Sequence, residues 1–286
     1  MCRDFRGFSR DNCEMTFEQL RASPNVAFAM TVAQAAGELL LERPLDLEVE
    51  TKSTDTDVVT LMDKRAEALI VDQIRSNRPE DGILGEEGTD TKGTSGMQWV
   101  IDPIDGTVNY LYQLPHWCVS IGLIDEVSRD ALVGVVYAPK LGKMYISGRG
   151  LGAYVVDQGT ARKLAVSGQS VLGQSLMGTG FGYSISRRTS QAKVLNEILP
   201  KVRDIRRLGS CAVDLCLVAE GFLDGYYERG VNPWDHAAGG LIAREAGATV
   251  SGLRGNLESS EMMVATTPGI FAELVAILEA INADHG

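Results

Sequence analysis

Acidic side chains stand directly after apolar runs in this chain. Asp102 and Asp105 follow Trp99-Val100-Ile101, in the run Asp-Pro-Ile-Asp-Gly-Thr107, and Glu86 and Glu87 follow Ile83-Leu84-Gly85. Pro103 removes a backbone donor and fixes φ, so the chain is predicted to double back between the two aspartates. Such a turn gathers both carboxylates and the Ile104 carbonyl around one small volume. An all-oxygen set of this kind suits a hard cation such as Mg²⁺. Two such cations side by side suit transfer of a phosphoryl group to water. Gly106-Thr107 then opens a short helix whose free amides favour a phosphate.

Asp-Pro and Asp-Gly are also ordinary turn punctuation. What weighs against that reading is the combination of two acids, an apolar residue between them and Gly-Thr, all after an apolar strand. Asp235, in Pro233-Trp234-Asp235, adds a further acid at a helix start; alone it reads as an N-cap. Asp57 and Asp63 bracket Val58-Val59-Thr60 and, alone, read as capping and surface residues.

The elements that must position these residues follow from periodicity. Helices are predicted over Ser23 to Arg43, with Pro24 suited to the first turn and Pro44 as the stop, and over Thr60 to Arg78. Leu47 to Thr51 alternates like a strand. Asp90 to Gly96 reads as a polar loop. The middle is β-rich: Trp117 to Ile124, Ala131 to Tyr137, Lys143 to Ser147 and Ala153 to Asp157. After Val166 strand and helix alternate: strands at Ser175 to Thr179, Asp204 to Leu208, Asp224 to Tyr227 and Met262 to Thr266. Helices are predicted at Ser190 to Leu199, Ser210 to Glu220, Asp235 to Ala246 and Ile270 to Asn282. The expected organisation is a flexible extension over residues 1–15 and a single catalytic domain over 16–286. Its N-terminal half, about 16–160, carries most of the acids, and its C-terminal half, about 161–286, packs on it as one cooperative unit, with helices layered on sheets.

The 286 residues carry 38 acidic and 27 basic side chains, a net charge of −11. That disfavours a partner bound through nucleic-acid phosphates or an anionic membrane surface. An anionic substrate stays possible if bound cations reverse the local sign. The five cysteines, Cys2, Cys13, Cys118, Cys211 and Cys216, form no CxxC pair, so reduced thiols in the cytoplasm are expected rather than disulfides or zinc. No apolar run is long enough to span a bilayer. Met1 to Glu14 lacks the apolar core of a signal peptide and reads as an extension, or as an upstream start preceding Met15.

With these residues in place, the chain resembles the inositol monophosphatase family, in the bacterial branch of the lithium-sensitive, magnesium-dependent phosphatases. Four blocks carry the resemblance: Lys52-Ser-Thr-Asp-Thr-Asp57-Val-Val-Thr-Leu-Met-Asp63; Gly85-Glu86-Glu87-Gly88; Trp99 to Tyr110; and Trp234-Asp235 through Gly247. Arg207 to Leu215 and Asp224 to Glu228 also fit. The resemblance implies an α+β fold, a layered α-β-α-β-α sandwich of the inositol monophosphatase and fructose bisphosphatase type, and a homodimer. It implies that Glu86, Asp102 and the Ile104 carbonyl hold a first Mg²⁺. Asp102, Asp105 and Asp235 would hold a second, and Glu86 would help a weaker third through water. Thr107, backed by Asp63, would activate the attacking water. The Gly106 and Thr107 amides would hold the phosphate, and Glu228, Asp235 and the backbone at Ser210 and Cys211 would face the substrate's hydroxyls. Cys211 stands where the family usually has Ala, and Tyr110 where Phe is more frequent.

The implied function is Mg²⁺-dependent hydrolysis of inositol monophosphate, a small-molecule phosphomonoester. The same chemistry on histidinol phosphate, fructose 1,6-bisphosphate or a nucleotide 3′-phosphate is the nearest alternative; Asn109-Tyr110 favours the inositol branch. A regulatory role through protein contacts, in transcription or ribosome assembly, is the alternative from another class. Of the histidines, His116 reads as a loop residue, His236 as structural and His285 as tail. Cys211 and Cys216 read as packed thiols. Gly178-Thr-Gly180-Phe-Gly182 reads as a tight strand exit. Arg187-Arg188 reads as a solvated pair, with a contact to substrate or across a dimer as the alternative.

Overall fold

A computed structural model describes residues 16–45, 47–52, 54, 55 and 57–285. The expected N-terminal extension lies outside the described residues, as do Cys2 and Cys13. The first elements are α1 (Phe17–Arg21), α2 (Pro24–Leu41), β1 (Glu50–Thr51), β2 (Val58–Val59) and α3 (Leu61–Asn77). The β-rich region holds β3 (Gly82–Gly85), β4 (Asp90–Thr91), β5 (Met97–Asp105), α4 (Thr107–Leu111), β6 (Cys118–Asp125), β7 (Ala131–Ala138), β8 (Lys143–Gly148), β9 (Ala153–Asp157) and β10 (Thr160–Lys163). The last part holds β11 (Leu176–Thr179), α5 (Ile185–Ile198), β12 (Asp204–Arg206), α6 (Cys211–Ala219), β13 (Gly225–Glu228), α7 (Pro233–Glu245), β14 (Thr249–Ser251), β15 (Met263–Thr266) and α8 (Pro268–Ala280).

Two sheets carry the fold. The larger runs in the order β10-β9-β8-β7-β6-β5-β3-β4 and the smaller in the order β12-β11-β13-β15-β14. Strand alternation assigns the layers. Val119, Ile121 and Leu123 of β6 join a core with Val32, Ala36 and Leu40 of α2 and Ala66, Ile70 and Ile74 of α3. On the opposite face, Cys118 joins Val136 and Tyr145 in a core with Ala212 and Cys216 of α6 and Ala238 and Ile242 of α7. Tyr226 of β13 then packs with Leu215 and Val218 of α6, while its neighbour Tyr227 packs with Ile198 of α5 and Leu274 of α8. The stack is therefore α2/α3, large sheet, α6/α7, small sheet, α5/α8, the layered α+β sandwich expected. No described helix is long and apolar enough to cross a membrane.

Several sequence expectations need correction. The strand expected over Leu47 to Thr51 is only Glu50–Thr51, paired with Val58–Val59; Leu47 is buried in the α2/α3 core instead. The loop expected over Asp90 to Gly96 begins with a strand, because the Gly88 turn folds Asp90–Thr91 back onto Ile83–Leu84. The helix expected from Ser190 begins at Ile185, because Ser184 accepts the Arg187 amide at 3.3 Å. The strand expected to reach Leu208 ends at Arg206, where pairing with β11 stops. The strands β10 and β14 and the helix α1 were not expected; all four residues of β10 are exposed and lack alternation.

Candidate active site

The geometry turns on β5. Asp102 pairs with Ser120 and Asp105 with Cys118, so three steps on β5 match two on β6. The chain does not double back at Pro103; it carries one extra residue, a β-bulge. In a regular strand, residues three apart face opposite sides. The bulge resets the alternation and turns both aspartates to the face shared by Cys118 and Ser120, which is the α6/α7 face. Pro103 supplies no N–H, which suits a position where ladder pairing lapses. The Ile104 amide donates to Oδ1 of Asp102 at 2.9 Å and fixes the bulge.

The other acids arrive from helix starts. Asp235 is not the N-cap of α7; Asn232 is, and Asp235 is the third residue, its Oδ2 accepting the Asn232 amide at 2.6 Å. Asp63 holds the equivalent place on α3, with Oδ2 accepting from the Thr60 amide at 2.8 Å and the Thr60 hydroxyl at 2.6 Å. Its Oδ1 is left for the Thr107 hydroxyl, at 3.2 Å. Capping and siting are thus one arrangement in both cases. The Thr107 hydroxyl also lies 3.1 Å from the Ile104 carbonyl.

Asp102, Asp105 and Asp235 each offer an oxygen, all within 4.8 Å of one another. They line a cavity of about 440 Å³ together with Glu86, Ile104, Gly106, Thr107, Ser210, Cys211 and Glu228. Asp63 lies behind Thr107 and is fully buried. Glu86 is at the rim, where its Oε1 meets the Lys52 ammonium at 2.9 Å; Glu87 meets the same ammonium at 2.7 Å. Burial alone would lower the pKa of Lys52, but the two glutamates outweigh it and raise it.

Crowding of carboxylates shows in their acidity. Burial, then the charges of Glu86, Asp105 and Asp235, raises Asp102 well above the usual carboxylate range. Burial and the charge of Asp105 do the same to Asp235. Asp105 is pushed up only to about 6 by burial, because hydrogen bonds from Ser210 and Ala212 hold it down. Asp63 is also raised to about 6 by burial, against the Thr60 hydrogen bonds. Two buried acids and a half-buried one, which repel one another and present only oxygen atoms, fit a hard divalent cation. Glu228 is raised to about 7 by burial, opposed by the Tyr226 hydroxyl that donates to it and by Arg207.

Asn109, Tyr110 and His236 lie outside the cavity lining, whereas Cys211 is part of it. Asn109 ties α4 to the loop before α6 by donating to the Leu208 carbonyl at 2.7 Å. The Tyr110 hydroxyl donates to the Leu40 carbonyl at 2.9 Å, deep against α2. Cys211 is buried, and burial raises its thiol well above the ordinary value, so it stays protonated. His236 is pushed down to about 4 by burial, consistent with a structural histidine.

Sequence reasoning missed Glu67. This buried acid on α3 accepts the Glu87 amide at 2.8 Å, the Thr89 amide at 3.2 Å and the Thr89 hydroxyl at 2.6 Å. It thereby shapes the turn that presents Glu86. Its signal was present: Glu67 lies four residues after Asp63, on the same helix face.

The profile of the Inositol monophosphatase family matches residues 22–283. An inositol-1-monophosphatase of Mycobacterium leprae is 46% identical over 242 residues, covering 82% of each chain. The Nus factor SuhB of Escherichia coli K12 is 36% identical over 260 residues, covering 88% of this chain and 95% of that one. The solved structure of Mycobacterium tuberculosis SuhB superposes with a TM-score of 0.78 at 40% identity, covering 91% of this chain and 98% of that one.

Proposed function

The chain belongs to the inositol monophosphatase family, and from that premise we propose that it is a magnesium-dependent phosphomonoesterase acting on inositol monophosphate. The observation that carries the reading is the convergence of Asp102, Asp105 and Asp235 beside a Thr107–Asp63 hydrogen bond. The three aspartates, with Glu86 and the Ile104 carbonyl, would hold two or three Mg²⁺. When bound, the cations supply charge cancellation for the phosphate dianion, a more acidic water and support for the leaving alkoxide.

The chain's own residues do the rest. Thr107 Oγ1 accepts a proton from the attacking water as it passes its own to Oδ1 of Asp63. An Asp63 pKa near 6 makes that carboxylate a better base than an exposed one. Gly106 and Thr107 line the cavity at the start of α4, where first-turn amides have no helical acceptor. Glu228, Asp235 and the backbone at Cys211 face the alcohol part of the substrate. Lithium inhibition, a cytoplasmic setting and a homodimer go with this reading.

Phosphate release with and without Mg²⁺ tests it, across inositol 1-phosphate, histidinol phosphate, fructose 1,6-bisphosphate and a nucleotide 3′-phosphate. Inositol 1-phosphate is expected to be turned over, and only with Mg²⁺. Histidinol phosphate turned over far faster would sink the assignment. A second reading, a role through protein contacts, is favoured by the relative named Nus factor SuhB. It becomes primary if Asp105→Asn abolishes hydrolysis while cellular phenotypes of the wild-type gene persist.

A further inference from the structure

The small sheet parts where it meets the cavity. Strands β11 and β13 pair in parallel as far as Thr179 and Tyr227, and the ladder then stops. The Thr179 hydroxyl adds a link at that point, donating to the Tyr227 carbonyl at 2.8 Å. Beyond it the two strand exits run on as cavity wall, with Gly180, Phe181 and Gly182 on one side and Glu228 on the other.

A single side chain of α5 spans the gap between them. Gln191 Oε1 accepts the Gly182 amide at 2.8 Å, and Gln191 Nε2 donates to the Arg229 carbonyl at 3.0 Å. A glutamine carries the donor and acceptor of a peptide group, so this side chain takes the place of a missing rung. Only one orientation of the amide fits, because the opposite one sets donor against donor. From the preceding turn of α5, Arg188 Nε donates to the Gly182 carbonyl at 2.8 Å. Both polar groups of the Gly182 backbone are thus held by α5.

Packing alone does not call for an amide here. Gln191 and Ile198 are the buried residues of α5, two turns apart on one face. Ile198 joins the apolar core with Tyr227 and Leu274. A buried amide is costly unless both of its ends are bonded, as they are in Gln191. Gln191 does not line the cavity. It lies behind the wall, beside Thr179, Gly180, Glu228 and Arg229. What it holds is the backbone on either side of the contact between Gly180 and Glu228, where a Cβ at Gly180 would overlap the glutamate carboxyl. The aspartates are anchored separately. Ser210 and the Ala212 amide hold Asp105, and Ser120 donates to the Trp234 carbonyl beside Asp235 at 3.1 Å.

We propose that Gln191 is a positioning residue: it fixes the spacing of the β11 and β13 exits and so sets Glu228 against the hydroxyls of the substrate. This rests on the phosphomonoesterase reading and names the part of the fold that adjusts its alcohol end without touching its metal end.

Kinetics of Gln191→Met, in the full chain with Mg²⁺, test it. Methionine keeps the length of the side chain and removes both hydrogen bonds. KM for inositol 1-phosphate should rise about tenfold while kcat stays within about twofold, the pattern of binding lost equally from ground and transition states. Inhibition by inorganic phosphate, which lacks the alcohol part, should keep its constant. Gln191→Glu keeps the acceptor for Gly182 and loses only the donor for Arg229; it gives the same readout if the methionine variant does not fold. In a Glu228→Gln background, Gln191→Met should add less than about twofold, because the two act on one contact. An unchanged KM, a phosphate constant that weakens in step with KM, or full additivity with Glu228→Gln overturns the proposal. If the wild-type chain hydrolyses inositol 1-phosphate in that case, the phosphomonoesterase reading survives; a wild-type chain inert on every ester removes both.

Discussion

The hydroxyl of Ser210 donates to Oδ2 of Asp105 at 2.7 Å, joining the start of α6 to the bulge of β5. The Ala212 amide donates to the same oxygen at 2.6 Å. Ser210 also accepts the Val213 amide at 3.2 Å, so one hydroxyl caps the helix and orients the acid. Oδ2 of Asp105 is thereby fixed, and the carboxylate keeps a lower pKa than Asp102 or Asp235.

Ser210→Ala removes both roles at once. Stability should fall by about 1 kcal/mol for the lost cap. Mg²⁺ affinity should fall by roughly 10–100-fold, as for other groups that orient metal-binding carboxylates. Calorimetric titration with Mg²⁺ checks the second number, and unchanged affinity would refute the positioning role.

Asp105→Asn and Asp235→Asn each keep the shape and lose a charge. Each should cost more than the roughly 100-fold at the top of the range for residues behind a metal site. Phosphate release at saturating Mg²⁺ is the measurement. Turnover near the wild-type rate in either variant would remove that residue from the ligand set.

Gly180 makes room for Glu228, because a Cβ there would overlap the glutamate carboxyl. Gly180→Ala should expel that carboxyl from the cavity and raise KM for inositol 1-phosphate about tenfold. Glu228→Gln should act on the same contact, so the double variant should lose little beyond either single one. Fully additive losses would show that the two positions act separately.

Stability should depend on pH and on Mg²⁺ together. Burial raises Asp63 and Asp105 to about 6, and Glu87 and Glu228 to about 7. A raised carboxyl binds its proton more tightly in the folded chain, so its contribution is present at low pH and lost as pH rises through the folded value. His236 works in the opposite sense, since burial lowers it from 6.5 to about 4 and it costs stability only below its ordinary value. The metal-free protein should therefore lose thermal stability from about pH 6.5 to about pH 8. Mg²⁺ should restore more of it at the upper end than near pH 5.5. Scanning calorimetry in chelator and in Mg²⁺ checks this; a melting temperature that climbs across the window in chelator contradicts it.

Much of this site was legible because its residues punctuate the chain. Asp102 and Asp105 end an apolar run, and Asp235 follows a proline at a helix start. The layered fold was legible where apolar periodicity was strong, as in α2, α3, β6 and β7. Other features left no such trace. A bulge and a turn share the same Asp-Pro signal, and only the pairing of Asp102 with Ser120 and Asp105 with Cys118 separates them. The start of α5 lies in Ser184-Ile-Ser-Arg-Arg188, where the buried face has not yet begun. The exposed β10 is held by backbone pairing to β9, which composition does not report. Arg187 and Arg188 are exposed, as their polar surroundings in the sequence suggest.

The extra residue in β5 has a genetic consequence. Loss of a single codon between Asp102 and Asp105 would leave the two aspartates two residues apart, still on one face of a regular strand, but would abolish the bulge. All the acids would still be encoded, yet the extra backbone unit that sets the Ile104 carbonyl beside Thr107 would be lost. An in-frame deletion there should be more damaging than most missense changes, because the site depends on a count of residues as much as on their identity.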